Sequence, residues 1–477
     1  MKILQNKGIT LVALVVTIVV LLILAGISIT ALFGDNGLIK RAQGLQNIVN
    51  SAQQNELGEI EGLLDNIYIS TLKTETTKPY LPSSSFYIPN KIEGAENTLA
   101  KGLVMKDTSG NEYVWIEVPK DIYNNASYNT KETTADMKPE NETAYEKIRY
   151  CLQKYTSSYK ANNWEDYWYD RVDTGNKDSN NNPIYTTYSK DPLTGNKYER
   201  TGSEAIQSST ANLDETKTTA GCGLNYAEYT TLYKAMLKSV YLNGGFYIGR
   251  YEAGTETARN SYTSNIENIT PISKQDKYPL IYVRCSQAQT IASKVNSGSY
   301  NSSLMFGMQW DLVMKYLESK GTSQAELKTN STSWGNYRDA EITLTRGKYA
   351  ILDTDGSGGN RFTGEWKVYN VNTENYVVNG IKQKNTSKTN TGGVATDQYG
   401  KALLTTGASN TLKKQNIYDL AGNTWEWTLE RTSNSTYSCT LRGGSYYDGG
   451  SDNPASFHDY NGPRNYNHNI GFRVALY

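Results

Sequence analysis

From Ile9 to Phe33 the chain runs ITLVALVVTIVVLLILAGISITALF without one charged residue. A stretch this apolar can satisfy its backbone in hydrocarbon only as a helix, and it has about the length that crosses a bilayer. Lys2 and Lys7 precede it, so the positive-inside rule leaves Met1 in the cytoplasm and carries everything after Phe33 outside. After a Gly-Asp-Asn-Gly break at residues 34–37, apolar residues recur at Leu38, Ala42, Leu45, Val49, Ala52, Leu57, Ile60, Leu63 and Leu64. That spacing predicts an amphipathic helix. The expected order is a leader at 1–8, a transmembrane helix at 9–34, a stalk helix at 35–70, a linker at 71–85 and an extracellular head at 86–477.

The segment NKGITLVALVVTIVVLLILAGISI resembles the leader and helix of type IV pilins and pseudopilins. The resemblance implies peptidase cleavage between Gly8 and Ile9, retention of the hydrophobic helix, and other pilin subunits as partners. One position departs from that pattern: the family's glutamate at the fifth mature residue is Ala13 here. That departure puts orderly pilus packing in doubt and leaves a plain signal anchor in the cell membrane as the alternative.

Composition narrows the role of the head. Forty-eight Lys plus Arg balance 48 Asp plus Glu, which excludes the basic footprint of a nucleic-acid binder. The 38 tyrosines against 7 phenylalanines describe a wet surface whose aromatics keep a polar handle. Cys151, Cys222, Cys285 and Cys439 match no metal spacing; an exported setting allows one or two disulfides, whose pairing is not readable. GLVMKDTSGNEYVWIEVP (102–119) alternates around a Ser-Gly-Asn turn and predicts a hairpin. Residues 121–220 are polar enough to be an insertion of long surface loops, with a short helix near Thr143–Tyr155. Further helices are expected on the face Tyr226, Tyr229, Tyr233, Met236, Leu237, Val240; over Ser286–Val295 with Ser286 as N-cap; and over Gln309–Ser319 with Gly321 as the stop.

FYIGRYEAG (246–254), a helix carrying Trp310, NIYDLAGNTWEWT (416–428), LRGGSY (441–446) and NIGFRVAL (469–476) occur in the order found in the formylglycine-generating enzyme, or sulfatase-modifying-factor, family, which this chain resembles. The resemblance implies an α+β, C-type-lectin-like head. It does not imply the family's chemistry, because Asp448 and Asn453 stand where the oxidase needs its two cysteines for copper and oxygen. No histidine cluster replaces them, since His458 and His468 are the chain's only two histidines. An enzyme is therefore not expected. The resemblance does imply a structural calcium loop, with side chains of Asp419 and Glu426 and carbonyls of Gly422 and Thr424 as ligands, hard oxygen donors that suit this ion. Asp353–Asn360 (DTDGSGGN) is like the front of a calcium loop, but Glu365 falls one position late.

The window Tyr446–Ile470 (YYDGGSDNPASFHDYNGPRNYNHNI) uses a different alphabet from the rest of the chain. It holds both histidines and no Lys, Glu, Gln, Met or Trp. Every residue type in it is reachable from an asparagine codon by replacing adenines, and none of those five is. This matches the variable proteins of diversity-generating retroelements, which the C-terminus resembles. Tyr with Asn, Ser and Gly is also the alphabet of a binding surface, stiff anchors beside adaptable hydrogen-bonding groups. The expected contacts are Tyr446, Tyr447, Asp448, Asp452, Asn453, Phe457, His458, Asp459, Tyr460, Asn461, Arg464, Asn465, Tyr466, Asn467 and His468. The expected function is a surface-displayed, adhesin-like or receptor-like protein that binds a protein or glycan through variable region 446–470. A structural minor pilin with an inert head and a divergent enzyme of the same family are the alternatives.

Overall fold

The alternating segment 102–119 forms the predicted hairpin, Val104–Asp107 pairing antiparallel with Glu112–Glu117. In a computed structural model the chain separates into two units, Met1–Lys73 and Thr74–Tyr477. The described residues are 79–129, 144–199, 206–207, 221–368, 377–378 and 401–477, apart from 162–163, 178, 180, 182, 267, 296–297, 299, 341, 345, 355–359 and 433–436. The leader with its Gly8–Ile9 junction, the 9–34 and 35–70 helices, and most of the 71–85 linker lie outside them. Among the described residues no helix is long and apolar enough to cross a membrane.

The hairpin sits in a six-stranded sheet of spatial order Phe86–Tyr87, Val104–Asp107, Glu112–Glu117, Gly245–Gly249, Val474–Leu476, Ser302–Leu304. The last strand of the chain thus slots between two earlier ones, with Tyr247 opposite Leu476 on one side and Ser302 opposite Leu476 on the other. Val114, Ile116, Phe246, Ile248 and Leu476 are fully buried there, so the C-terminus is part of the core.

Local chemistry explains the helices that pack against these strands. Asn225 caps Tyr226–Asn243: its side chain accepts from Glu228 N at 2.9 Å, and the Glu228 carboxylate accepts from Asn225 N at 2.8 Å. Tyr229, Tyr233, Met236, Leu237 and Val240 are its buried residues. Gly307–Ser319 buries Trp310, Val313, Met314 and Leu317, and Gly321 beyond it takes φ +97°. Cys285–Ala292 begins one residue earlier than expected, with Arg284 rather than Ser286 as N-cap. Its first turn uses the Gln287 side chain, which accepts from Arg284 N at 3.1 Å.

The described residues of 121–220 form more regular structure than their polarity suggests. Ala144–Tyr155 is a helix, and Trp168–Lys177, Pro183–Lys190, Lys197–Glu199 and Ile206–Gln207 form an antiparallel sheet. Ile148, Leu152, Tyr159 and Trp168 join the main core. The Arg149–Asp191 ion pair, 3.0 Å and almost fully buried, ties helix to sheet. Widely spaced apolar residues suffice because the segment borrows the core of the head.

A five-stranded sheet carries the window. His458–Asn461 pairs with Cys439–Arg442, which pairs with Trp425–Thr432. Trp425–Thr432 then runs parallel to Ile470–Phe472 and also pairs with Trp164–Glu165 from the insertion. Gly443 (φ +90°) and Gly444 (φ +75°) turn the chain out of strand Cys439–Arg442 into the window. A Cβ on Gly444 would stand 2.5 Å from Asn453 O, and one on Gly443 2.9 Å from Leu420 O, so the LRGGSY motif admits only glycine here.

Candidate functional site

The strand flanking the window is pinned by buried charge. Arg442 gives one nitrogen to Asp311 at 2.7 Å and another to Glu430 at 2.9 Å. Glu430 also meets His458 Nδ1 at 3.2 Å, and His458 Nε2 lies 3.1 Å from the Tyr159 carbonyl. Burial alone would raise Glu430, but the charges and hydrogen bonds of His458 and Arg442 outweigh it and hold the carboxyl at about 2. His458 is therefore a clamp between the window, the frame and the insertion, with little surface to offer a ligand.

Tyr446 is also inside. It packs with Ile281, Ala350 and Leu403, and its hydroxyl lies 2.7 Å from His468 Nδ1. These two residues are removed from the expected contact set because burial leaves them nothing to present. Half-buried positions follow: Tyr447, Asp448, Asn453, Phe457, Asp459, Asn461, Arg464 and His468. Asp448 is bound to Ser445 Oγ at 2.5 Å, Phe457 stands 6.1 Å from the Trp425 ring, and Asp459 accepts from Tyr460 N at 2.8 Å. Burial raises the carboxyls of both Asp448 and Asp459. Asp452, Tyr460, Asn465, Tyr466 and Asn467 are exposed. Two of these are aromatic and neither stands alone: Tyr460 stacks on Tyr437 at 5.5 Å and Tyr466 on Tyr262 at 4.1 Å. Frame residues Tyr262, Tyr437 and Arg284 thus border the surface. No motif marks them in sequence, because only the fold brings them to it.

The residues of the expected calcium loop are held by buried protein partners. Both Glu426 oxygens are held by Arg473, with Nη2 at 2.7 Å and Nε at 3.1 and 3.2 Å. Thr424 donates its N–H and hydroxyl to Glu252 Oε1 at 2.9 and 2.8 Å. Gly422 donates its N–H to Gly443 O at 2.9 Å. Asp419 accepts from Gly407 N at 2.7 Å with Oδ2, while its buried Oδ1 has no hydrogen-bond partner. Burial lifts Asp419 to about 7 and Glu252 well above the usual carboxylate range. A lone orphaned oxygen is not a calcium shell, and a guanidinium already occupies Glu426. Among the described residues no group of three or more His, Cys, Asp or Glu could hold a metal ion. Among the described residues the carboxylates expected to hold calcium, Asp419 and Glu426, thus lie in a buried Arg–carboxylate lock, with Gly422 and Thr424 tied into it by their backbone N–H groups. Arg473 and Glu252 are the partners that sequence reasoning missed, though both lie in motifs already noted. In Asp353–Asn360, residues 355–359 lie outside the described set, and Thr354 pairs with Asn360 across a hairpin.

No disulfide joins the four cysteines, all described and all buried. Cys439 instead meets Arg431 Nη1 at 3.6 Å. A hydrogen bond from Cys285, with help from Arg431, outweighs burial and brings the Cys439 thiol down to about 7.

Residues 238–477, half of the chain, match the sulfatase-modifying factor enzyme 1-like domain. The chain belongs to this family. Its mixed helix-and-strand, C-type-lectin-like head is the fold that membership implies. Two solved structures share a weaker likeness. CarF is 17% identical over 48% of this chain and 86% of its own, with a TM-score of 0.17. Treponema denticola variable protein 1 is 13% identical over 66% of this chain and 93% of its own, with a TM-score of 0.18. Scores this low carry no argument about fold or function. No curated protein matches the chain.

Proposed function

We propose that this family member is a surface-displayed ligand-binding protein whose C-terminal patch is diversified through adenine-directed mutagenesis. The observation that supports the reading most is the division of labour within the window. Its ends are fixed by buried strands, Cys439–Arg442 on one side and Ile470–Phe472 with Val474–Leu476 on the other. Between them, Asp452, Tyr460, Asn465, Tyr466 and Asn467 face solvent. Side chains there can change without disturbing the core, as binding loops on a rigid scaffold require. Asp448 and Asn453 supply no thiols, so a binding role accounts for the site better than the family's oxidase chemistry does.

The deciding observation is genetic. A near-identical repeat near the end of the gene should differ from it only where the repeat has adenine. Differences scattered over all four bases would defeat the diversification reading.

Display is the second part of the proposal. The uncharged 9–34 segment anchors the chain in the cell membrane, after cleavage behind Gly8, with the head outside and with pilin subunits as candidate neighbours. Mass analysis of membrane-extracted protein should find Ile9 at the N-terminus. An intact Met1 in cells with active prepilin peptidase would leave a plain anchor.

A further inference from the structure

At one end of the window two arginines have no ion pair among the described residues. Arg284 lies over the Tyr262 ring at 4.6 Å and 5.7 Å from the Tyr466 ring. Its Nε is buried and has no hydrogen-bond partner. Arg259 gives Nε to Ile281 O at 2.9 Å and Nη2 to Tyr282 O at 3.3 Å, and both terminal nitrogens reach Thr263 Oγ1 at 3.3 Å. Burial pulls Arg259 below the usual arginine range, with Tyr262 acting against it. Among the described residues neither guanidinium has a carboxylate within ion-pair distance. A partly desolvated cation held only by rings, carbonyls and a hydroxyl keeps its charge uncompensated by these neighbours. The window joins this place directly: Tyr466 stacks on Tyr262 with an interplanar angle of 18°, and Asn467 O accepts from Tyr282 N at 3.0 Å.

We propose that Arg259, Arg284, Tyr262 and Tyr466 form a subsite for an acidic sugar unit of a polysaccharide. The guanidinium groups receive its carboxylate or sulfate through charge-assisted hydrogen bonds, the geometry for which arginine is suited. The exposed Tyr466 ring offers a face to the C–H side of the sugar, and Asn465 and Asn467 offer amides to its hydroxyls. This inference rests on the window being a binding surface. Frame residues supply the charge, so it commits only this end of the surface to an anion and leaves the diversified positions to tune the rest.

Binding of the full-length protein to immobilised heparin, alginate, dextran and polyglutamate tests it. Heparin or alginate should bind and dextran should not, with binding weakening steeply toward about 0.5 M salt. Arg284→Gln and Arg259→Gln should each weaken binding about tenfold or more, on the scale of a hot-spot contact. Arg284→Lys, which keeps the charge, should recover part of the loss, and thermal melts should show all three variants folded. Lys101→Gln removes the same charge from another surface element and should change little; an equal loss there would mean diffuse attraction and overturn the subsite. Failure to bind either acidic polysaccharide, equal binding of dextran, or a preference for polyglutamate would also overturn it. Binding that needs the arginines but ignores Tyr466→Ala and Asn467→Ala would leave the anion site standing and sink the window as a paratope. Tyrosine-dependent binding to neutral dextran would do the reverse.

Discussion

Replacing Arg473 with methionine is expected to destabilise the head by about 3–5 kcal/mol, the usual cost of removing one partner from a buried ion pair. Arg473 is fully buried and holds Glu426 through three contacts, and it also donates to Gly249 O and Tyr418 O, both at 2.9 Å. Without it, Glu252, Asp419 and Glu426 share one desolvated region with no cation from this residue to offset them. The loss should depend on pH. Asp419 is already raised to about 7 in the fold, above its ordinary 3.8. Its ionisation therefore opposes folding: the penalty is absent below about pH 4, grows as pH rises, and is complete above about 7. Urea denaturation at pH 5 and pH 8 should show the variant losing more at pH 8. Exchanging Glu426 for methionine as well should restore part of the stability. A pH-independent loss under about 1 kcal/mol would show that the lock is not the support described here.

Trp425→Ala and Phe472→Ala should each cost about 3–5 kcal/mol, the range for removing a large aromatic from a packed core. Trp425 is 5% exposed and Phe472 0%, and they lie on strands that run parallel side by side. Tyr447→Ala, Tyr460→Ala and Tyr466→Ala should behave otherwise. Tyr460 is 44% exposed and Tyr466 40%, so their removal should cost under about 1 kcal/mol, in line with surface substitutions. At least one of the three should weaken ligand binding by about 2 kcal/mol, the scale of an interface anchor. Thermal melts of both sets decide between patch and core. Tyrosine variants that unfold as readily as the frame variants would mean that the window is structural.

The sequence was most legible where a local rule governs. Alternation around Ser-Gly-Asn gave the hairpin, and 3.6-residue spacing with an Asn225–Glu228 cap gave Tyr226–Asn243. The ordered motifs from FYIGRYEAG to NIGFRVAL gave the family. The insertion was legible only in part. Trp168 and Leu152 reveal their partners only when packed on the head. The Arg473 contact to Glu426 was hidden for a related reason: an oxygen-rich turn looks alike in sequence whether or not a distant guanidinium reaches it.

By itself the sequence determined the uncharged span at the N-terminus, the absent thiols at Asp448 and Asn453, and the biased alphabet of residues 446–470, because each is a property of residue identity or local order. Only the tertiary structure decided which window residues face outward. Tyr446 and Tyr466 read alike in sequence, yet one closes a core with Ile281 and Leu403 while the other stacks on Tyr262 in solvent. Tertiary contacts likewise gave Glu426 to Arg473, 47 residues away, and left Arg259 and Arg284 without an ion pair among the described residues. Burial and charge pairing are set by groups far apart along the chain, and no local pattern encodes their meeting.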